Sequence, residues 1–300
     1  FLSLLTKQGI NTTSLNKILF FFEKKCHLYL HNISLYSMKQ NGVIGIFDSG
    51  VGGTSIWKEI HTLLPFEDTI YLADSKYAPY GNRSKEEITA LSIKNTEFLI
   101  AQGCKIIVVA CNTATTNAIK VLRANYYIPI IGIEPAIKPA ALKSKTKSIG
   151  ILATKGTLSS ELFHKTSEAF TNGIQLTEVV GEGLVPLIEK GALDSPEMQE
   201  LLEKHIRPMI EANIDYLVLG CSHYPYIIPQ LQKILPKHIT IIDSGEAVAK
   251  QTKAILAENN LLQDEELTPT LQFYTNAETD TLQFLLKEFT EKISIEKKEF

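Results

Sequence analysis

Two stretches, Ala110-Cys111-Asn112-Thr113-Ala114-Thr115 and Gly220-Cys221-Ser222-His223-Tyr224-Pro225, decide how the rest of this 300-residue chain is read. Each follows an apolar run, 106–109 and 216–219, and each places a cysteine where a buried strand should end, with polar residues just after it. The same arrangement, met twice and 110 residues apart, reads as one site assembled from two halves.

Outward from these stretches the pattern is regular. Short apolar runs at 43–47, 70–73, 106–109, 130–133, 148–152, 175–180, 216–219 and 240–242 read as strands. Between them, 54–64, 84–102, 113–125, 158–171, 196–212, 226–234 and 245–258 carry helical patterns. Near-continuous apolar strands alternating with helices predict an α/β fold whose parallel sheets are covered on both faces. Pro65, Pro129 and Pro236 stand just ahead of strands, Ser84-Lys85-Glu86-Glu87 has the form of a capping box, and Thr113 is placed to cap the helix after Cys111.

A weak internal symmetry accompanies the alternation. Val108-Val109-Ala110-Cys111 resembles Val218-Leu219-Gly220-Cys221, and Ile46-Phe47-Asp48-Ser49-Gly50 resembles Ile241-Ile242-Asp243-Ser244-Gly245. The lysine-bearing segment 138–147 reads as a crossing between lobes, with a return near residue 240. The expected architecture is therefore two pseudo-symmetric, doubly wound domains, 41–140 plus 241–300 and 141–240, with the active site in the cleft between them. Ligands of such sheets bind beyond the carboxyl ends of the strands, which puts the two cysteines on facing walls. Residues 1–40 are apolar and lysine-bearing, with Glu23 their only acid, and read as an N-terminal extension outside the fold; Met38 lies just before the first strand.

Composition narrows the function. With 44% apolar and 21% charged residues and a net charge of −3, nothing points to nucleic acid or an anionic membrane as partner. No apolar run approaches the roughly 20 residues needed to span a bilayer. Four cysteines are too few for a disulfide scaffold in so long a chain, so reduced thiols in a cytoplasmic protein are the simpler reading. No C-x-x-C pair occurs, and Cys221-Ser222-His223 alone supplies too few ligands, so no metal is expected.

Free cysteines are often small buried hydrophobes, and Cys26 and Cys104 are read so. Cys111 and Cys221 differ, because each precedes a helix whose N-terminus favours a thiolate and each is flanked by carboxylate-binding groups, Asn112 and Thr113 or Ser222 and His223. His223, two residues from Cys221, is placed to hold its thiolate. Asp48-Ser49-Gly50-Val51-Gly52-Gly53 is a poor dinucleotide fingerprint: the third glycine would fall at Ser55, and Asp48 would repel a pyrophosphate. In that reading Asp74, ending the next strand, would hold a ribose. The Asp48 carboxylate suits an ammonium group or a proton partner for a thiolate better. Ala78-Pro79-Tyr80-Gly81-Asn82 reads as a turn offering backbone N–H groups and a hydroxyl near the same sheet edge. Glu189 on its own reads as a solvated helix residue.

Together, Gly45–Gly53, Tyr77–Gly81, Ala110–Thr115 and Gly220–Pro225 resemble the corresponding motifs of the glutamate racemases, within the aspartate/glutamate racemase superfamily. The resemblance runs from about Val43 to Lys250. It implies two α/β domains with the active site between them and no cofactor. It implies Cys111 and Cys221 as two bases, with substrate contacts from Asp48, Ser49, Tyr80, Gly81, Asn112, Thr113, Ser222 and His223. Glu189 matches an acidic residue that assists the second half-site. The family supplies D-glutamate for peptidoglycan, is cytoplasmic and is commonly a homodimer. Two positions depart from its pattern: Ser222 replaces threonine while keeping the hydroxyl, and Val180-Gly181-Glu182-Gly183 replaces an Ala-Cys-Pro-like run in the pocket wall.

The implied chemistry needs two bases, because the α-proton must leave one face of the carbon and return to the other. One cysteine would act as thiolate and one as thiol, and thiols titrate near ~8.5 unless local charge lowers them. No lysine sits in a Schiff-base motif, so pyridoxal phosphate is not required. A racemase of the same superfamily acting on aspartate or a hydantoin, and a non-catalytic amino-acid- or nucleotide-binding module, are the competing readings. A 38–300 chain is expected to express in soluble form and retain the activity of the full chain; an insoluble or inactive product would show that residues 1–37 are required.

Overall fold

The computed structural model describes residues 42–263, 266–290 and 292–300. The expectations for residues 1–40 and for Cys26 lie outside them. The first sheet is built from β1 (Val43–Asp48), β2 (Thr69–Ala73), β3 (Cys104–Val109), β4 (Ile130–Gly132), β9 (Leu271–Thr275) and β10 (Ile293–Lys297). Its order is β10-β9-β2-β1-β3-β4, and every pairing is parallel. The second sheet holds β5 (Ser148–Ala153), β6 (Gln175–Val180), β7 (Tyr216–Gly220) and β8 (Thr240–Ile242) in the order β6-β5-β7-β8, again all parallel. The α/β expectation with parallel-sheet cores is thus borne out.

Within the six-stranded sheet, the run β2-β1-β3-β4 winds in the same order as β6-β5-β7-β8. This equivalence fixes which residues correspond. β3 matches β7, so Cys111 and Cys221 occupy equivalent places just past a central strand. β1 matches β5, and both carry Ile-Gly-Ile, at 44–46 and 149–151. The likeness of Asp48-Ser49-Gly50 to Asp243-Ser244-Gly245 is not part of the repeat: it pairs the end of β1 with the end of β8, whereas the counterpart of Asp48-Ser49 lies at Ala153-Thr154.

The helices are α1 (Thr54–Leu63), α2 (Lys85–Ala101), α3 (Asn112–Asn125), α4 (Ile137–Lys143), α5 (Lys155–Leu158), α6 (Glu161–Phe170), α7 (Leu184–Glu189), α8 (Pro196–Glu211), α9 (Ile228–Ile234), α10 (Gly245–Glu258) and α11 (Asp280–Leu285). The Ser84 capping box forms as read: its hydroxyl accepts from Glu87 N while the Glu87 carboxylate accepts from Ser84 N. The cap of α3 is not Thr113 but Cys111, whose sulfur accepts from Ala114 N at 3.4 Å. Thr113 falls inside the first turn.

Segment 138–147 is not a plain crossing. Ile137, Ala140 and Ala141 of α4 pack with Ile149, Ile151 and Val218, so the chain has joined the second sheet before Ile137. β9 and β10 were not anticipated. β10, Ile293-Ser294-Ile295-Glu296-Lys297, is an exposed edge strand in a charge-rich segment, where burial leaves little apolar signal. β6, read like the buried strands, is also an edge and only half covered.

One buried ion pair ties β3 to the turn before β2. Lys105 Nζ lies 2.7 Å from Glu67 Oε2 with both side chains out of solvent, and Glu67 Oε1 accepts from Gln263 N at 2.8 Å. Lys105→Met strands a buried carboxylate and is expected to cost about 3–5 kcal/mol of unfolding free energy. Glu67→Gln in that background should recover much of the loss, both changes being read from urea denaturation midpoints.

Candidate active site

The carboxyl ends of the central strands supply the site. β1 delivers Asp48, β3 delivers Cys111, and β7 delivers Cys221-Ser222-His223. All five side chains are buried. The Cys111 thiol donates to Ser49 Oγ at 3.6 Å. Across the cleft, Cys221 Sγ lies 3.7 Å from His223 Nδ1. Asp48 joins the walls: Oδ1 accepts from Ser222 Oγ at 2.9 Å, and Oδ2 accepts from Gly50 N at 3.1 Å.

Glu189, at the end of α7, belongs to this cluster rather than to solvent. Its Oε1 lies 2.5 Å from His223 Nε2 and accepts from Val51 N at 2.7 Å, and its Oε2 accepts from Ser75 Oγ at 2.9 Å. This explains the glycine-rich turn. A Cβ at Gly50 would stand 1.9 Å from Glu189 Oε1, and one at Gly52 would stand 2.3 Å from His223 Nδ1. The turn is open so that two side chains of the other wall can enter it, not to cradle a phosphate. Asp74 is likewise taken. Its buried carboxylate accepts from Tyr80 OH, from Asn95 Nδ2 at 3.3 Å and from Asn276 Nδ2 at 2.5 Å, and Lys94 Nζ lies 3.6 Å away.

Burial pushes the Cys111 thiol far up, and the negative charge of Asp48 pushes it further. Cys221 acts on it in the same direction, which places both sulfurs in one electrostatic site. For His223, burial alone would lower the pKa. Hydrogen bonds to Cys221 and Glu189, with the charge of Asp48, reverse that and raise it well above the ordinary histidine value. Burial also raises the Asp48 carboxyl, against the lowering effects of His223 and Ser222.

Asn112, the first residue of α3, is buried with neither its amide nitrogen nor its oxygen engaged by a protein group. Such an amide is open to a ligand, because a buried polar group without a partner is costly. Thr113 Oγ1 lies 2.8 Å from Thr154 Oγ1 and 3.3 Å from Thr157 Oγ1. Neither Thr154 nor Thr157 was singled out from sequence. The available signal was position, since Thr154-Lys155-Gly156-Thr157 follows β5 as Ser49-Gly50-Val51-Gly52 follows β1. The Tyr80 ring is buried and its hydroxyl is committed to Asp74, so the 79–82 turn presents backbone rather than a free hydroxyl. Gly81 instead sits against Thr154, 3.0 Å from its Cβ by the position a methyl would take. A cleft of about 270 Å³ opens between Gly81 and Asn82 on one side and Thr154 and Gly181–Gly183 on the other. The stretch that departs from the family pattern therefore does line a pocket wall.

The sequence model of the Asp/Glu/hydantoin racemase family matches residues 44–252. The chain belongs to this family. The glutamate racemase of Cupriavidus pinatubonensis is 45% identical to it over 218 residues, covering 73% of this chain and 80% of that protein. The structure of Escherichia coli glutamate racemase in complex with L-glutamate and the activator UDP-MurNAc-Ala superposes with a TM-score of 0.76 at 30% identity, over 85% of this chain and 97% of that one. Francisella tularensis glutamate racemase in complex with D-glutamate gives 0.75 at 28% identity, over 87% and 98%. The resemblance read from four motifs is borne out, and this family member carries those motifs on the facing ends of two parallel sheets. No helix among the described residues is long and apolar enough to cross a membrane.

Because the glycines at 50 and 52 make room for the opposite wall, Gly52→Ala is expected to displace His223 while the sheets stay intact. A 1 Å misplacement of a reacting group costs on the order of 10²-fold. Turnover should fall by about that factor with an unchanged circular dichroism spectrum.

Proposed function

We propose that this chain is a cofactor-independent glutamate racemase that interconverts L- and D-glutamate by a two-base proton transfer between Cys111 and Cys221. One observation carries the reading: two buried thiols stand at topologically equivalent strand ends on opposite walls, joined through Asp48 and Ser222. The relatives add support, since proteins of this fold carrying the same name were solved with L-glutamate in one case and D-glutamate in another. The two walls correspond to 41–140 plus 241–300 and to 141–240, with the joint drawn back before Ile137.

The chemistry follows from the environments. An imidazolium 3.7 Å from Cys221 Sγ is the kind of neighbour that stabilises a thiolate. Burial and Asp48 favour the thiol form of Cys111 until the substrate ammonium offsets Asp48. With Cys221 as thiolate and Cys111 as thiol, Cys221 removes the α-proton from one face and Cys111 returns a proton to the other; in the reverse direction the roles exchange. The substrate ammonium is held near Asp48, where it relieves the buried carboxylate and offsets its effect on Cys111. The carbanion delocalises into the α-carboxylate, held by donors from Asn112, Thr113, the backbone N–H of Ser222 and the backbone of the 79–82 turn. Donors fixed in place for a developing charge are worth more than donors that must reorganise. Ser49 orients the Cys111 sulfur, and Glu189 orients His223. We place the enzyme in the cytoplasm as a homodimer supplying D-glutamate for peptidoglycan, on the strength of the family resemblance.

Cys111→Ser and Cys221→Ser are each expected to lower racemisation by about 10²–10⁴-fold, because a serine hydroxyl cannot replace the thiolate base. With β-chloroglutamate, removal of the α-proton leaves a carbanion whose electron pair expels chloride, so no return proton is needed. Each variant should then eliminate chloride from one enantiomer only, with opposite preferences: D for the variant keeping Cys111 and L for the variant keeping Cys221. Elimination from both enantiomers by either variant would mean that one cysteine reaches both faces. Absence of α-proton exchange in D2O with glutamate, aspartate or a hydantoin would favour a binding module.

A further inference from the structure

Ser75 lies in the turn after β2, in none of the motifs that carry the family resemblance, and its hydroxyl turns to Glu189 rather than to either thiol. Its hydroxyl donates to Glu189 Oε2 at 2.9 Å. The other oxygen of that carboxylate carries two partners, His223 Nε2 at 2.5 Å and Val51 N at 2.7 Å. The Glu189 backbone is pinned separately, its carbonyl accepting from Thr281 Oγ1 at 2.8 Å. With the backbone fixed, the remaining freedom is rotation of the carboxylate, and Ser75 holds the end that His223 does not. Losing it would leave Oε2 free to turn, and any turn moves Oε1 off the His223 nitrogen.

We propose that Ser75 is a positioning residue for the Cys221 half of the reaction, holding the Glu189 carboxylate in the orientation that presents the His223 ring to the Cys221 sulfur. This rests on the two-base reading and deepens it, since it gives the two half-reactions different supporting residues. The ring of His223 faces Cys221 through Nδ1 and Glu189 through Nε2, with Asp48 close enough to act on it. Glu189 in turn is faced by His223, and its charge is felt at Asp48 and Tyr71. Cys111 is supported from elsewhere, by Ser49 and Ala114 N.

The test must separate the halves. The two enantiomers of glutamate are equally stable, so kcat/KM for full racemisation falls equally in both directions whichever half is damaged. Chloride elimination from each enantiomer of β-chloroglutamate reads each half alone. Ser75→Ala is expected to lower elimination from the enantiomer served by Cys221 about tenfold, the loss of one hydrogen bond to a charged group, and to leave the other enantiomer unchanged. His223 loses part of what holds its proton, so the alkaline limb of the Cys221 half-reaction should move to lower pH while that of the Cys111 half stays. Ser75→Thr keeps the hydroxyl and should restore both readouts. An unchanged thermal midpoint for Ser75→Ala confirms that the fold is intact. Wild-type elimination from both enantiomers in Ser75→Ala, or equal losses on both without a pH shift, would overturn the assignment. The single Cys111→Ser and Cys221→Ser variants, run beside it, test the two-base reading independently: if either eliminates from both enantiomers, the reading and the role of Ser75 fall together.

Discussion

A carboxylate withdrawn from solvent without partners is untenable, and the buried Asp48 and half-buried Glu189 each find donors on the opposite wall. Asp48 leaves the end of β1 and accepts from Ser222, which follows β7. Glu189 leaves the end of α7 and accepts from Val51 N and Ser75 Oγ beside β1 and β2. Desolvating an ion costs several kcal/mol, recovered only where geometry and hydrogen bonds are good. Neither wall can recover that cost alone. Ser55 Oγ donating to the Ser222 carbonyl at 2.8 Å and Thr54 Oγ1 at 2.6 Å from Tyr226 OH extend the same junction. The chemistry and the contact between the sheets are therefore one set of bonds.

That set of bonds also breaks the equivalence of the thiols. By strand order Cys111 and Cys221 are counterparts, and a repeat alone would give them equal environments. Asp48 raises the Cys111 thiol, whereas the His223 ring stands against Cys221. The difference arises because the loops after β1 and β5 differ: one carries a carboxylate, the other Thr154-Lys155-Gly156-Thr157. In the two-base reading proposed above, the two half-reactions therefore draw on different supporting groups.

Much of this was legible in the sequence because the central strands are buried on both faces and so read as unbroken apolar runs. β1, β3, β5 and β7 stood out for that reason, and the cysteines stood out as polar chemistry at their ends. The edge strands did not, since β10 buries little and alternates Ile with Ser and Glu. Glu189 illustrates a different limit. Its sequence neighbours, Leu184 to Ile188, show only an amphipathic turn, and nothing local shows that its partners lie 138 and 114 residues earlier. The glycines were visible as a turn, but their purpose was not, because the atoms they avoid belong to Glu189 and His223. Thr154 and Thr157 became visible only once strand order showed that their loop corresponds to the Asp48 loop.

The part of the fold outside the repeat then acquires a reason. β9 and β10 extend only the first sheet, and the segment carrying β9 and α11 sends side chains to Asp74 and to the backbone of Glu189. Asn276 Nδ2 donates to Asp74 Oδ1 at 2.5 Å, and Asp74 holds the Tyr80 hydroxyl and with it the turn bearing Gly81. Thr281 Oγ1 donates to the Glu189 carbonyl at 2.8 Å. A symmetric pair of four-stranded cores would present two strand ends to a substrate but would leave these loops to set their own positions. Loops are the mobile part of such folds, and a reacting group displaced by 1 Å loses on the order of 10² in rate. Adding two strands to one edge fixes the turn over one thiol and the carboxylate behind the other. The extra strands thus place unlike loops around two cysteines that are, in strand order, counterparts on a repeated scaffold.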